Sequence, residues 1–178
     1  MDKWIDWIVV FVQPYLLLAI EYKFYIVAVI SVLIFLVLLR GYGVKKLFKV
    51  PFWYFYIGSD VGGNTKPYFI YKKKVAGAPD AVFYNILKLQ YVIGEFKSRD
   101  YKSYVKRREY YQVVLYVGLM SLWFLPRAKG IICYGCGAVV PIKYDNKVFK
   151  NLLSLRNEIN NSKKYWQPEN PTPLHQRD

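Results

Sequence analysis

A run of sixteen uncharged residues near the start of the chain constrains the fold more than any other feature. It extends from Phe24 to Leu39 and is bracketed by Lys23 and Arg40. A helix of about 20 apolar residues spans the hydrocarbon of a bilayer, and flanking aromatic and basic residues at the interfaces make up a small deficit. The run therefore predicts a membrane segment, with a buried core helix as the alternative. No small-residue cleavage site follows it, so a removable signal peptide is not expected.

A shorter uncharged stretch, from Trp7 to Ile20, precedes this run and has Pro14 in its middle. Because an internal proline kinks or breaks a helix, we expect the stretch to be interfacial or re-entrant, or to form the first arm of a transmembrane hairpin. Basic residues with no acidic residue among them follow the run, whereas the segment before the run contains both acidic and basic residues. The positive-inside rule then predicts a cytoplasmic C-terminal domain. The basic residues are Arg40, Lys45, Lys46 and Lys49.

The remaining sequence predicts one α/β domain. At 178 residues the chain has room for one domain of ordinary size and an appendage. Aromatic and β-branched runs predict strands over 67–75, 80–84 and 90–97, and a hairpin over 129–134 and 138–144. Apolar spacing predicts helices over 103–123 and 146–160, the first with a stripe of Tyr104, Tyr111, Leu115, Leu119 and Leu122.

These elements divide the chain into four parts. We predict a membrane anchor over 1–43, a juxtamembrane connection over 44–66, the catalytic domain over 67–162 and a flexible tail over 163–178. Within the connection, the aromatic residues 52–56 either rest against lipid headgroups or form an ordinary strand.

Three groups of polar residues lie in or beside the predicted strands and the first helix. They are the Gly-Ala-Pro-Asp sequence ending at Asp80, the Glu-Phe-Lys sequence from Glu95 to Lys97, and Gln112 with Tyr116. If the two strands are neighbours, both carboxylates can converge on a divalent cation, since Mg²⁺ is often held by one or two carboxylates, water and substrate phosphate. Lys97 shares a strand face with Glu95, because side chains alternate with a period of two.

These three groups, in this order along the chain, resemble the motifs of the RecB-type branch of the PD-(D/E)XK nucleases. That branch includes CRISPR-associated and recombination exonucleases. The resemblance covers roughly residues 68–160 and implies a mixed sheet flanked by helices. It implies that Asp80 and Glu95, with the backbone carbonyl of Phe96, hold Mg²⁺ or Mn²⁺. It further implies that Lys97 orients water or stabilises developing charge, and that Gln112 and Tyr116 position the substrate.

The chain departs from this family in one respect. Many relatives carry an upstream His or Glu as a further metal ligand, whereas His175 in the tail is the single histidine here and Asp60 is the nearest upstream carboxylate. A second metal ion is therefore not assigned. The pair Cys133 and Cys136 has the spacing of a zinc or redox pair, and some relatives hold an iron-sulfur cluster, but such a cluster usually needs four thiolates and the chain has two cysteines. We expect these cysteines to be incidental to a hairpin.

The charge of the chain indicates a polyanionic partner. The formal net charge is +14, which suits nucleic acid or an anionic lipid surface. A basic segment follows Glu95 and is predicted to bind the phosphates of DNA. Tyr101 and Tyr104 are predicted to stack on its bases. The proposed DNA-binding residues of this segment are Arg99, Lys102, Lys106, Arg107 and Arg108.

These observations predict a membrane-anchored, metal-dependent nuclease that hydrolyses DNA on the cytoplasmic side. The first alternative is a catalytically inactive nuclease-like domain that tethers DNA or a protein complex to the membrane. A lipid-binding scaffold without preference for DNA is the second alternative.

Overall fold

The computed structural model describes residues 2–61 and 66–165. The chain divides into two compact units, the first ending at Arg40 and the second beginning at Gly41. The first unit consists of helix α1 (Asp2–Leu39), which continues through Pro14. A break at Pro14 and a hairpin are therefore wrong, whereas a kink and an interfacial position stay predictions. A proline removes only one backbone donor from the hydrogen-bond ladder, and helices of membrane proteins tolerate it.

Helix α1 contains the predicted membrane segment. Within the described residues, one helix is long and apolar enough to cross a membrane, through the 18-residue stretch Tyr22–Leu39. None of this stretch is buried.

The second unit is a mixed α/β domain. Its strands are β1 (Phe55–Ser59), β2 (Ile70–Lys72), β3 (Val75–Gly77), β4 (Ala81–Asn85), β5 (Gln90–Lys97), β6 (Lys129–Tyr134) and β7 (Val139–Ile142). Its helices are α2 (Tyr42–Leu47), α3 (Arg107–Met120) and α4 (Asn146–Tyr165). Five strands form one sheet in the order β1-β4-β5-β6-β7, while β2 and β3 form a separate hairpin. Neighbours in the sheet are antiparallel except β5 and β6, which are parallel and joined through α3.

Alternating side chains divide the sheet into two buried faces. On one face Val82, Ile93 and Ile132 pack with residues of α3 and with Phe149 of α4. On the other face Phe83, Val92 and Cys133 pack with Phe48, which follows α2. Phe48 lies against Gly94, where an added Cβ would collide with its ring. The alternation places Glu95 and Lys97 on the face that α3 covers.

Two predicted elements differ from the observed ones. The strand predicted over 67–75 is instead the β2–β3 hairpin, which turns through Lys73 and Lys74 with φ angles of 54° and 58°. Lysine is not a usual residue for such a turn, so the sequence did not indicate it. The helix predicted over 103–123 begins only at Arg107, because Lys106 is extended and serves as its N-cap.

The buried face of α3 also differs from the predicted stripe. Leu119 is buried as expected, but Tyr104 is exposed and precedes the helix. The face that contacts the sheet is formed by Val113, Val114, Val117, Leu119 and Met120. Small β-branched side chains let the helix lie close to the sheet, as shown by Gly130, where an added Cβ would collide with Val113.

Two predicted boundaries also shift. Strand β1 lies within residues 44–66, so the predicted connection contains an edge strand of the main sheet. For residues 52–56 the strand alternative is observed in part, because Phe55 and Tyr56 belong to β1. Helix α4 runs to Tyr165, so the first residues of the predicted tail are helical. The rest of the tail lies outside the described residues.

Candidate active site

Asp80 and Glu95 lie side by side because of the register between β4 and β5. Ala81 pairs with Gly94, which brings the residue before β4 next to the end of β5. The Phe96 N–H donates a hydrogen bond of 2.6 Å to Asp80 Oδ2. The Asp80 backbone carbonyl in turn accepts hydrogen bonds from Ser59 Oγ at 2.7 Å and from the Asp60 N–H at 2.9 Å. Asp80 is thus fixed from both neighbouring strands.

Hydrogen bonds join Glu95 and Lys97 to helix α3. Lys97 Nζ donates to Glu95 Oε1 at 2.8 Å and to Gln112 Oε1 at 3.2 Å. Gln112 Nε2 donates to Tyr116 Oη at 3.4 Å, and Tyr116 Oη donates to the Ala78 carbonyl at 3.3 Å. The four predicted side chains Glu95, Lys97, Gln112 and Tyr116 therefore form one continuous hydrogen-bonded set.

The segment before Asp80 is held against α3 by close packing. The Tyr116 ring lies directly on Gly77, where an added Cβ would collide with it. Since Tyr116 also hydrogen-bonds Ala78, this side chain contacts two consecutive residues of the segment leading into Asp80. Tyr116 is buried and contributes to the core, so it combines a packing role with a polar contact to the site.

Burial and neighbouring negative charge raise the pKa of both carboxyl groups. Burial raises the pKa of Glu95, and the charge of Asp80 adds to this although Lys97 opposes it. Burial also raises the pKa of Asp80, against the Phe96 N–H and Lys97, while the charge of Asp60 raises it further. Glu95 Oε2 is buried and has no hydrogen-bond partner among the described residues. An acceptor of this kind is suited to a cation.

The donor set fits one hard divalent ion better than a cage of protein ligands. Within residues 2–61 and 66–165, no group of three or more His, Cys, Asp or Glu residues could hold a metal. Two carboxylates, one with an unpartnered buried oxygen, are sufficient for Mg²⁺ or Mn²⁺ when water and substrate complete the shell. The assignment of the Phe96 carbonyl as a further ligand stays a prediction.

A third acidic residue, Asp60, also lies close to the site. The sequence did not predict this position. Asp60 follows β1, and its backbone and charge both act on Asp80. The sequence does show that Asp60 follows an aromatic run. That position indicates closeness to Asp80 only if β1 is known to pair with β4.

The predicted DNA-binding residues separate into two kinds. Arg99 is half-buried and bonded within the protein, since its guanidinium donates to both Glu109 oxygens at 3.0 and 2.7 Å. Tyr101 packs on Tyr134, with ring centroids 5.1 Å apart, whereas Tyr104 is exposed. The other predicted contacts are exposed in the segment after β5 and in the first turn of α3, and they comprise Lys102, Lys106, Arg107 and Arg108.

The two cysteines belong to the β6–β7 hairpin and are both free. Cys133 is buried, and its Sγ lies 3.0 Å from the Leu47 carbonyl. Cys136 is exposed and accepts a hydrogen bond from the Tyr101 N–H. Because one thiol points into the core and the other lies at the surface, the pair is not arranged as two ligands of one metal.

The raised pKa values predict how Mg²⁺ and pH affect stability. Stabilisation from protonated Asp80 and Glu95 is complete below their ordinary pKa values of 3.8 and 4.5, and is lost as pH rises through the raised values. At pH 7.5 we expect Mg²⁺ to offset this loss, by about 2.7 kcal/mol at a free concentration of about 100 times Kd. Thermal melts with EDTA or Mg²⁺ measure the effect. An equal Mg²⁺ response in Glu95→Gln would contradict it.

Comparisons with known proteins leave the family open. No protein-family model matches the chain, and no curated protein matches it. Among solved structures, one described as "Crystal structure of SSO0001" aligns with 19% identity and a TM-score of 0.38, covering 84% of this chain and 68% of that chain. A likeness at this level carries no argument about fold or function, so the functional assignment depends on the site itself.

Proposed function

We propose that the unit beginning at Gly41 is a metal-dependent nuclease of the PD-(D/E)XK type that hydrolyses DNA phosphodiester bonds. The observation that carries the proposal is the single hydrogen-bonded set of Glu95, Lys97, Gln112 and Tyr116, with Asp80 held beside it. The mixed sheet and the helix that covers it also support the proposal. They bring together, at one end of the sheet, residues that are up to thirty-six positions apart in the chain.

Each residue then has a defined task. Asp80 and Glu95 would hold Mg²⁺ or Mn²⁺, with the Phe96 carbonyl as a further ligand. Such an ion would supply Lewis-acid stabilisation of phosphoryl charge and activation of a water molecule. Lys97, whose side chain is about a quarter exposed, is held between Glu95 and Gln112 and can present its ammonium to the attacked phosphate. Gln112 and Tyr116 keep Lys97 and the segment before Asp80 in place.

DNA is the proposed substrate because of charge and position. The proposed basic residues lie between the end of β5, the strand that bears Glu95 and Lys97, and the first turn of α3, and the whole chain has a net charge of +14. Phosphate contacts of this kind give affinity without sequence specificity and weaken with salt. The proposed contacts are Lys102, Lys106, Arg107 and Arg108, while Arg99 has a structural role.

One observation favours a second candidate, an inactive nuclease-like domain that tethers DNA or a protein complex to the membrane. Lys97 already neutralises Glu95 through a 2.8 Å ion pair, which reduces the negative charge offered to a cation. Incubating the purified chain with linear and circular, single- and double-stranded DNA in Mg²⁺, Mn²⁺ or EDTA separates the two candidates. Cleavage that EDTA abolishes supports the nuclease, whereas binding without cleavage supports the tether.

Gln112→Ala and Tyr116→Phe test the positioning role. We expect each to lower DNA cleavage by about 10-fold, as for removal of groups that orient metal ligands, while Mg²⁺ binding and the melting temperature hold. Tyr116→Phe keeps the ring against Gly77 and removes only the hydroxyl that contacts Ala78. Tyr111→Phe, on the same helix, is the matched control. Unchanged cleavage with a lowered melting temperature would show that packing is the sole role.

We further propose that α1 anchors the protein in a membrane and that the second unit is cytoplasmic. Arg40, Lys46 and Lys49 are exposed and support this orientation. Lys45 is buried instead, with Nζ donating to the Phe52 carbonyl at 2.9 Å, so it does not contribute an interfacial charge.

Protease treatment of intact cells tests this orientation. We expect residues after Pro51 to resist digestion until the cells are permeabilised, because the membrane would shield a cytoplasmic unit. Digestion in intact cells would place the unit on the other side.

A further inference from the structure

An exposed apolar surface lies at the end of the main sheet opposite Asp80. Three loops meet there: the segment before β1, the β4–β5 turn and the loop from α3 to β6. We call this surface the apolar end. Its large exposed side chains include Phe52, Trp53, Leu87, Leu89, Trp123 and Phe124.

Strand register and two hydrogen bonds bring the three loops together. Phe55 pairs with Tyr84, and Asn85 Nδ2 donates to Tyr54 Oη at 2.8 Å, which places the segment before β1 beside the β4–β5 turn. Lys129 pairs with Val92 in the parallel ladder, so the loop before β6 reaches the same sheet end. That loop also contacts the start of β5, because Gln90 Nε2 donates to the Arg127 carbonyl.

The exposure of the apolar end is unusually high for side chains of this size. Trp123 is 95% exposed and Leu87 is 82% exposed. Scattered single apolar residues on a surface need no explanation, but several large ones on adjacent loops mark an interaction surface. Tryptophan and leucine at loop tips suit the boundary between lipid headgroups and acyl chains.

The backbone of the β4–β5 turn supports a role for its leucines. Leu89 has a φ of 47°, in the left-handed region that favours glycine or asparagine. A leucine in this conformation strains the turn without burying its side chain, which is 51% exposed. Folding within the unit does not require a leucine here, so a partner outside the unit accounts for it better.

The charges around the apolar end select the partner. Residues 52–55, 86–89 and 121–129 contain no acidic residue, and they include Lys88, Arg127 and Lys129, all exposed. Basic residues beside apolar tips match a surface with negative headgroups over a hydrocarbon layer. An apolar groove on a second protein would not require this arrangement of charge.

We propose that the apolar end docks on an anionic lipid bilayer and forms a second membrane contact in addition to α1. The inference rests on the proposed membrane anchorage but not on nuclease activity. Docking holds the sheet upright on the bilayer, with Asp80 about 17 Å further along β4, at roughly 3.3 Å per residue. The candidate active site then opens toward the aqueous phase, where a large polyanion has access.

The test uses the full chain in lipid nanodiscs with Trp123 as its reporter. Trp4, Trp7, Trp53 and Trp166 are replaced by Phe, and fluorescence is compared in discs with and without brominated acyl chains. We expect quenching of Trp123 in discs of phosphatidylcholine and phosphatidylserine, and a loss of quenching at high salt. The control reporter is introduced by Tyr104→Trp, together with Trp123→Phe, and is expected to stay unquenched because Tyr104 lies beyond the opposite end of β5.

A substitution at the turn links the signal to the apolar end. Leu87→Glu is expected to abolish quenching of Trp123, since it places a negative charge on the docking surface. The matched variant Tyr104→Glu adds the same charge at an exposed aromatic outside the apolar end and is expected to leave quenching unchanged. Both positions are exposed, so the fold should tolerate both changes.

The outcomes separate docking from anchorage and from other partners. Failure of the wild-type chain to float with liposomes would overturn the anchorage. Stable flotation without quenching of Trp123 would overturn the docking proposal alone, and equal quenching in neutral discs would overturn its electrostatic part. Protection of Trp123 from aqueous acrylamide without lipid quenching, together with an oligomeric mass in detergent, would assign the surface to a protein contact instead.

Discussion

Asp80→Asn and Glu95→Gln are each expected to lower Mg²⁺-dependent DNA cleavage by more than about 100-fold, because loss of a ligand should exceed the 10–100-fold effects of outer-shell partners. Both changes keep the shape of the side chain and remove only its charge. In Asp80→Asn the Phe96 N–H can still donate to the side-chain carbonyl oxygen, so the local fold should persist. Initial rates on double-stranded DNA, with bound Mg²⁺ measured by calorimetry, test both expectations.

The matched control is Asp100→Asn, an equivalent change at an exposed acid just beyond β5. It should retain cleavage and Mg²⁺ binding close to those of the wild type. Wild-type cleavage in Asp80→Asn or Glu95→Gln would eliminate the proposed centre. Metal-independent DNA binding with no cleavage in any variant, including the wild type, would support the tether instead.

Glu109→Ala should lower the free energy of unfolding by about 2–4 kcal/mol, because it removes a buried acceptor and a helix cap together. Glu109 accepts hydrogen bonds from Arg99, from the buried Tyr134 hydroxyl at 3.1 Å and from the Lys106 N–H at 3.2 Å. Burial and this carboxylate raise the pKa of Tyr134 to about 12, so Tyr134 remains a donor at neutral pH. The expected fall in melting temperature is on the order of 10 °C.

Glu109→Gln and pH distinguish the charge of Glu109 from its shape. Burial alone would raise the pKa of Glu109, but Arg99 and the other donors outweigh it and the pKa is lowered. The stabilisation is therefore present above the ordinary value of 4.5 and is lost as pH falls through the lowered value. Glu109→Gln should remove this acid-dependent part and cost less than Glu109→Ala. Equal melting temperatures for wild type and Glu109→Ala would contradict a buried structural pair.

The site residues were accessible from the sequence because they lie in segments whose patterns are strong. Strand β5 occupies the predicted range 90–97, and an alternating strand fixes that Glu95 and Lys97 share a face. Gln112 and Tyr116 are one helical turn apart, which fixes their common face even though α3 begins later than predicted. Periodicity therefore placed these side chains on common faces before any tertiary contact was known, whereas the family resemblance selected them as candidate site residues.

The contributions of Asp60, Arg99 and Lys45 were not accessible in this way. The position of Asp60 depends on β1 pairing with β4, a contact between segments about 26 residues apart that no local pattern specifies. Arg99 was expected to bind phosphate, but Glu109, ten residues away, accepts two of its three guanidinium hydrogen bonds. Lys45 was counted as an interfacial charge, but a backbone carbonyl seven residues away binds it inside the unit.

By itself the sequence determined the apolar helix, the α/β class, the single strand that bears Glu95 and Lys97, and the basic character of the chain. These properties depend on local periodicity and composition, which neighbouring residues encode directly. The tertiary structure alone decided the parallel pairing of β5 with β6, the meeting of Asp80 with Glu95, and the clustering of three loops at the apolar end. Each of these depends on contacts between distant segments, whose pairing is set by the burial of both sheet faces together rather than by any one segment.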